Sequence, residues 1–165
     1  MNNTNKKSTV SALYLATAAI LAALYVLLTA LSASFGLASG VIQVRLSEAL
    51  TILPFFTPAA VPGVTLGCFL ANLLTGAPLP DIIFGTLATF LGVLGAYLLR
   101  KYKYLIAIPT ILSNALISPL VLRYAYGIPD AFWYLMLTVG AGEVISAGLF
   151  GGLLLHILQK HKLFF

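Results

Sequence analysis

Charge is what this sequence has least of. Only 8% of its 165 residues are Asp, Glu, Lys or Arg, and just four are acidic. An ordinary soluble domain carries about 25%. With 61% hydrophobic residues and a mean hydropathy of +1.04, the chain has too little polar surface to face water, so lipid must be its solvent along most of its length. A single cysteine, Cys68, excludes an intramolecular disulfide and a multi-cysteine metal site. It reads as a small buried hydrophobe. No GxxxxGK phosphate loop ending in Ser or Thr is present, and no hydrophilic stretch is long enough to fold as a nucleotide-binding domain. Uphill work would therefore need an ATPase on another chain, or an ion gradient. The chain is expected to be no enzyme, with no metal or cofactor of its own.

What is there is a series of apolar runs with clear punctuation. Six spans are expected, forming one all-α integral membrane domain over residues 1–165. They cover residues 10–33, 46 to between Pro54 and Pro58, 59–75, 81–99, 104–124 and 130–158. The second is short against the roughly 20 residues a bilayer crossing needs. Asp81 and Asp130 are placed to open the fourth and sixth helices as caps, and Pro109 and Pro119 to bend the fifth. The first run follows Lys6 and Lys7 but is longer than a signal-peptide core, and no convincing cleavage site closes it. It reads as a retained helix.

The formal charge of +5 is not a nucleic-acid footprint, because the cations cap hydrophobic runs instead of lining one polar face. Lys6, Lys7, Arg100, Lys101, Lys103, Lys160 and Lys162 are seven of the nine. Six spans put all seven on the side of the N-terminus, which the positive-inside rule makes cytoplasmic. Both termini, as tails of residues 1–9 and 159–165, are thus expected inside a cell membrane.

Polar residues within spans are costly and mark function. Glu143 falls near the middle of the sixth span among Gly140, Ala141, Gly142, Ser146, Ala147 and Gly148, with room for a ligand or for another helix. Asn114 sits at similar depth in the fifth, as a ligand contact or an interhelical hydrogen bond. Asn72, near the outer end of the third, suits a cap or an interfacial role. Arg45 and Glu48, three residues apart at the start of the second, would share a helix face. They form either an interfacial couple or part of a pocket. Trp133 and Tyr134 belong to an interfacial aromatic belt or stand above Glu143 as a stacking platform, and Arg123 beside Tyr124 and Tyr126 reads as an interfacial anchor. These groups run from the midplane outward, while the cytoplasmic half is nearly all aliphatic. A pocket open outward and closed within is the expected outcome. On the first helix, Ala12, Ala16, Ala19, Ala23 and Ala30 fall within a narrow arc, a seam for a close helix neighbour or for a partner subunit.

The run Val41-Ile42-Gln43-Val44-Arg45-Leu46-Ser47-Glu48-Ala49-Leu50, then Leu53-Pro54-Phe55-Phe56-Thr57-Pro58, resembles the queuosine-precursor transporter (QueT) family. Gly67-Cys68-Phe69-Leu70-Ala71-Asn72 and Asp81-Ile82-Ile83-Phe84-Gly85-Thr86-Leu87-Ala88-Thr89 extend the resemblance. That family is similar to the substrate-binding S-components of energy-coupling factor (ECF) transporters. The resemblance implies an outward-facing pocket for a 7-deazaguanine such as queuine or preQ1. It also implies an energising module of one transmembrane coupling subunit and two ATPase subunits, docked on the Ala-rich face of the first helix. On that reading Glu143, Asn114, Arg45, Glu48, Asn72 and Trp133 are the candidate solute contacts. A guanine-like edge presents a ring N–H beside an exocyclic amine, a pair of donors that one carboxylate accepts together. Two other classes stay open: a proton-coupled transporter acting as a dimer with Glu143 as its proton site, and a scaffold protein with no solute.

Overall fold

The computed structural model describes residues 3–37 and 42–161, with side chains from Ser11 onward. Lys162, the loop residues Ser39 and Gly40, and the side chains of Lys6 and Lys7 lie outside the described residues. All regular structure among the described residues is helical. Helix α1 is Asn3–Ser34, α2 Ala60–Leu74, α3 Leu79–Leu98 and α4 Ile108–Tyr124. A last rod runs from Phe132 to Lys160 in three parts: α5 (Phe132–Glu143), a π-helical segment (Val144–Phe150) and α6 (Gly151–Lys160). Three stretches, Ser11–Ser34, Leu79–Leu98 and Phe132–Lys160, are long and apolar enough to cross a membrane.

The second expected span is where the structure departs furthest. Leu46–Phe55 is a 3-10 helix of ten residues. At about 2.0 Å per residue it covers about 20 Å, short of a hydrocarbon core about 30 Å thick. Its residues from Ser47 through Pro54 are all buried, and it packs against α1, α2, α3, α6 and the π segment. It is apolar because it is a strut inside the bundle, not because it meets lipid. An apolar run reports burial and leaves the kind of helix open. Irregular backbone at membrane depth is tolerated where protein surrounds it.

Contacts between named residues give each helix its direction. Gly63 meets Ala18 and Gly67 meets Ala22, so α2 runs parallel to α1. A Cβ at Gly67 would stand 2.6 Å from Cβ of Tyr25, and glycine there is what lets the two axes close. Cys68 faces Gly85 while Asn72 faces Asp81, Gly92 faces Thr110 while Gly95 faces Pro109, and Ala115 faces Gly140 while Ile111 faces Gly148. Helices α2 to α5 therefore alternate. Tyr25 reaches Glu48 while Ser32 reaches Leu46, which turns the 3-10 strut against α1. The start of α1, the end of α3, the start of α4 and the end of α6 thus share one end of the bundle. Arg100, Lys101, Lys103 and Lys160 gather there.

Helix ends follow local rules at some places and not at others. Gly36 and Gly76 take positive φ (69° each), and the next residues, Leu37 and Ala77, donate back to Ser32 and Asn72 at 3.0 Å, closing α1 and α2 as glycine-terminated helices do. Pro109 lies in the first turn of α4, where its missing N–H costs nothing, so only Pro119 is interior. Neither expected aspartate cap is one. Pro78 and Ala131 precede α3 and α5 without side-chain caps, and Asp81 lies inside the first turn of α3.

The hydrophobic core includes Leu21, Leu50, Ile52, Leu53, Val64, Val93, Ala96, Ile106 and Leu155, drawn from both sides of the strut. Helix α1 contributes Leu21, Ala22 and Tyr25 to the interior. Its Ala12, Ala16, Ala19, Ala23 and Ala30 are all exposed, so the alanine seam lies on the uncovered face and packs against no neighbouring helix of this chain.

Candidate substrate site

Above that core, toward the end opposite the lysines, a cavity of about 280 Å³ opens between α3, α4, α5 and the segment leading into the strut. Its size is at the lower edge of the range for small-molecule sites, about 300–1,000 Å³. Val121, Leu122, Ile128 and Val139 form apolar walls, and Gln43, Arg45, Asp81, Asn114, Ser118, Tyr126 and Glu143 supply polar groups. This is the arrangement that binds a flat, heteroatom-rich solute: apolar faces for the ring, a few placed polar groups for its edges.

Glu143, Asn114 and Arg45 are the sequence candidates that meet here. Glu143 ends α5, where the helix widens into its π segment, and such bulges are frequent at functional sites. It is 8% exposed and Asn114 5%, yet Glu143 Oε2 and Asn114 Nδ2 have no hydrogen-bond partner within the protein. Unpaired buried polar groups cost about 1–3 kcal/mol each. Both residues line the cavity and their side chains neighbour each other, so a ligand that enters could supply the partners these buried atoms lack.

Arg45 and Glu48 do not share a helix face, because Arg45 has extended backbone (φ −111°, ψ 107°) just before the strut begins. Glu48 points the other way and is fully enclosed, with Oε1 accepting from the Tyr25 hydroxyl and Oε2 unpaired. Glu48 and Glu143 are close enough to feel each other's charge, and both neighbour Asn114, but only Glu143 lines the cavity. Asn72 is buried and donates its amide N–H to the Asp81 carbonyl oxygen at 3.4 Å, tying α2 to the start of α3 outside the cavity lining. Trp133 is 70% exposed, stands edge-on to Phe132 with ring centres 6.0 Å apart, and does not line the cavity.

The segment carrying Gln43 and Arg45 is pinned along one side of the last rod. The Arg45 backbone N–H donates to Ser146 Oγ at 3.1 Å, and the Ser146 hydroxyl donates to the Gly142 carbonyl at 2.8 Å. Gly142 lies directly against the Gln43 carbonyl, and any Cβ there would overlap that oxygen. From the α1 side, the Leu46 N–H donates to Ser32 Oγ at 2.9 Å and Thr29 Oγ1 donates to Ser47 Oγ at 2.8 Å. The small residues around Glu143 thus make room for this segment as well as for the cavity.

Asp81 and Tyr126 are site residues that sequence reasoning does not place here: Asp81 reads as a cap, and Tyr126 only as a neighbour of the Arg123 anchor. The Tyr126 hydroxyl donates to Asp81 Oδ2 at 2.6 Å, joining residues 45 apart in the chain. Burial, with the bond to Asp81 and its charge, pushes the Tyr126 phenol up to about 12. Nothing local in the sequence signals such a pair. The presence of only four acids in the chain was the available clue that each one matters.

Three membrane-length stretches in a helical bundle, with a small-molecule-sized polar cavity confined to one end, define a multi-pass membrane protein with a solute-sized pocket. The model of the family described as QueT transporter matches residues 15–160, and the chain belongs to that family. It is 39% identical over 88 residues to the Queuosine precursor transporter QueT of Lactococcus lactis subsp. cremoris (strain MG1363). That alignment covers 53% of this chain and 52% of the relative, about half of the relative's length. No solved structure matches this chain.

Proposed function

We propose that this protein is the solute-capturing membrane subunit of an ECF-type importer, and that its solute is a queuosine precursor of the 7-deazaguanine class. The observation that carries this reading is the meeting of Glu143 and Asn114, with Oε2 and Nδ2 buried and unpaired, on the lining of a cavity with apolar walls. Glu143 would accept the ring N–H and the exocyclic amine of a guanine-like edge together. Asn114 would donate to the carbonyl oxygen beside them. A base lacking the amine leaves a buried acceptor unsatisfied, which is how such a site discriminates. Family membership and the printed name of the lactococcal relative support the solute class.

In this reading the chain traverses the cell membrane six times, the second time by way of the extended segment and the 3-10 strut inside the bundle; both termini are cytoplasmic, and the cavity faces outward. Energy comes from separate chains, one transmembrane coupling subunit and two ATPases. The exposed seam of Ala12, Ala16, Ala19 and Ala23 supports a docking face for them, since small side chains let a partner helix approach closely. A second reading draws on the closeness of Glu48 and Glu143: a dimeric, proton-coupled transporter in which the two carboxyls exchange a proton.

The test is calorimetry on the purified full chain in detergent, with queuine, 7-aminomethyl-7-deazaguanine, guanine and adenine. Binding of the deazaguanines, with adenine at least a hundredfold weaker, is expected. Failure of every deazaguanine to bind would end the proposal. Co-purification with ATPase subunits from native membranes separates the two transport readings.

A further inference from the structure

We propose that Asp81 and Tyr126 form a subsite for a protonated amine on the solute, so that the cavity selects an amine-bearing 7-deazaguanine over a neutral one. This rests on the deazaguanine reading above and deepens it.

The argument starts from where the acids are. The chain has four, and three of them lie at or near one cavity: Asp81 and Glu143 line it, and Glu48 is close enough to Glu143 for their charges to interact. All three are buried, at 7%, 8% and 2% exposure. Among the described Lys and Arg residues, Arg45 alone lines the cavity. It interacts with Asp81 and Glu48 at a distance and makes no close ion pair with either. Three carboxyl groups against one guanidinium leave the site short of positive charge. With one proton on Glu48 and Glu143 together, one negative charge stays uncompensated; with two, Asp81 and Arg45 balance at a distance and the Asp81 carboxylate still has no cation in contact. A cationic solute supplies what is missing, and a neutral one does not.

Asp81 is the carboxylate with room for that cation. An ionised carboxylate offers about four acceptor positions, and the Tyr126 hydroxyl occupies one of them. Asn72 donates to the backbone carbonyl of Asp81 and leaves the carboxylate free. With its pKa pushed up to about 12 by burial and by Asp81, the Tyr126 phenol stays a donor through the physiological range and keeps the carboxylate oriented. Glu143 and Asn114, both more than nine-tenths buried, line the same cavity with Oε2 and Nδ2 unpaired, a second and independent sign of a ligand site. They take the guanine-like edge, leaving Asp81 for a substituent elsewhere on the ring. An ammonium there donates a charge-assisted hydrogen bond. A nitrile in its place brings only a lone pair, set against a carboxylate whose nearest donor is already used, which is a repulsive contact.

Two probes test this on the purified full chain: 7-aminomethyl-7-deazaguanine, which carries the ammonium, and 7-cyano-7-deazaguanine, which does not. The wild type is expected to bind the aminomethyl compound at least tenfold more tightly. Asp81→Asn keeps the side-chain volume and should weaken the aminomethyl compound ten- to a hundredfold, while the cyano compound, freed of the repulsive carboxylate, binds as tightly or more tightly and so reports that the pocket is folded. Tyr126→Phe should weaken the aminomethyl compound severalfold with the same control. Equal losses for both compounds in Asp81→Asn, or a wild-type preference for the cyano compound, would overturn the subsite while leaving the deazaguanine reading intact. Binding of neither compound by the wild type would overturn both.

Discussion

The end of the bundle that holds the cavity and the end that holds the lysines are made of different chemistry. At the first, Asp81, Glu143, Asn114 and Arg45 gather in about 280 Å³ with two buried polar atoms unpaired. Toward the second, Ile52, Leu53, Val64, Val93, Ala96, Ile106 and Leu155 close the interior, and Arg100, Lys101, Lys103 and Lys160 stand beyond it. A channel needs polar groups along its whole length. Here the buried ionisable groups stop at the level of Glu48 and Glu143, and only hydroxyls such as Thr51 and Thr110 lie beyond them. On the proposed reading, the difference is that of a molecule that receives a solute from one side and holds it until a separate component moves or opens it.

The contrast can be broken most severely at Gly142. Adding a methyl group there pushes against the Gln43 backbone, which has no flexible end to yield. Overpacking of this kind costs about 1–3 kcal/mol, so Gly142→Ala should lower solute affinity by roughly five- to a hundredfold, measured by calorimetry. Retained affinity would mean that the segment carrying Gln43 and Arg45 is not part of the binding surface.

Next in size is Tyr25→Phe, which acts behind the cavity. It removes the one hydrogen bond that Glu48 accepts from Tyr25, leaving both carboxyl oxygens unpaired in the interior at a cost of about 1–3 kcal/mol. Thermal unfolding in detergent should show the loss, while solute affinity changes by less than threefold. A large fall in affinity with unchanged stability would instead make Glu48 a solute contact.

The smallest effect on binding is expected from the face farthest from the cavity chemistry. Ala16→Leu with Ala19→Leu should leave calorimetric affinity unchanged, because both residues are exposed, yet abolish co-purification with the energising subunits and uptake by cells. Normal co-purification of the double variant would make the seam a lipid-facing surface. The orientation of the whole comparison is checked in a Cys68→Ala background. A cysteine at Asp130 should react with an impermeant thiol reagent outside cells, and one at Lys101 should not.

Much of this contrast was legible in the sequence. Positions of the third and fourth spans agree with α2 and α3 to within two residues, because Gly76, Pro78 and Pro80 interrupt two strongly apolar runs. Glu143, Asn114 and Arg45 stood out because polar groups in apolar runs are rare, and the structure gathers all three around one cavity. What stayed hidden depends on distance and on backbone form. Asp81 follows Pro-Leu-Pro as a cap would, and only its partner 45 residues away shows that its side chain turns into the cavity. Nothing in the sequence sets Tyr25 apart within α1, and only the fold brings Glu48 of the strut to it. A run such as Leu46–Phe55 signals burial equally well as α-helix or 3-10 helix, and no residue type announces the π segment after Glu143.

The account turns on Glu143 as the group that reads the solute, and titrating wild type and Glu143→Gln by calorimetry at two pH values tests it most directly. The substitution keeps the shape but sets an amide donor against the solute's own donors. Loss of a charge-assisted hydrogen bond, about 1.5–3 kcal/mol, predicts roughly ten- to a hundredfold weaker binding at both pH values. A proton-coupling role predicts that binding survives while its pH dependence disappears. Unchanged affinity at both pH values would contradict the account and move recognition to Asn114 and Arg45.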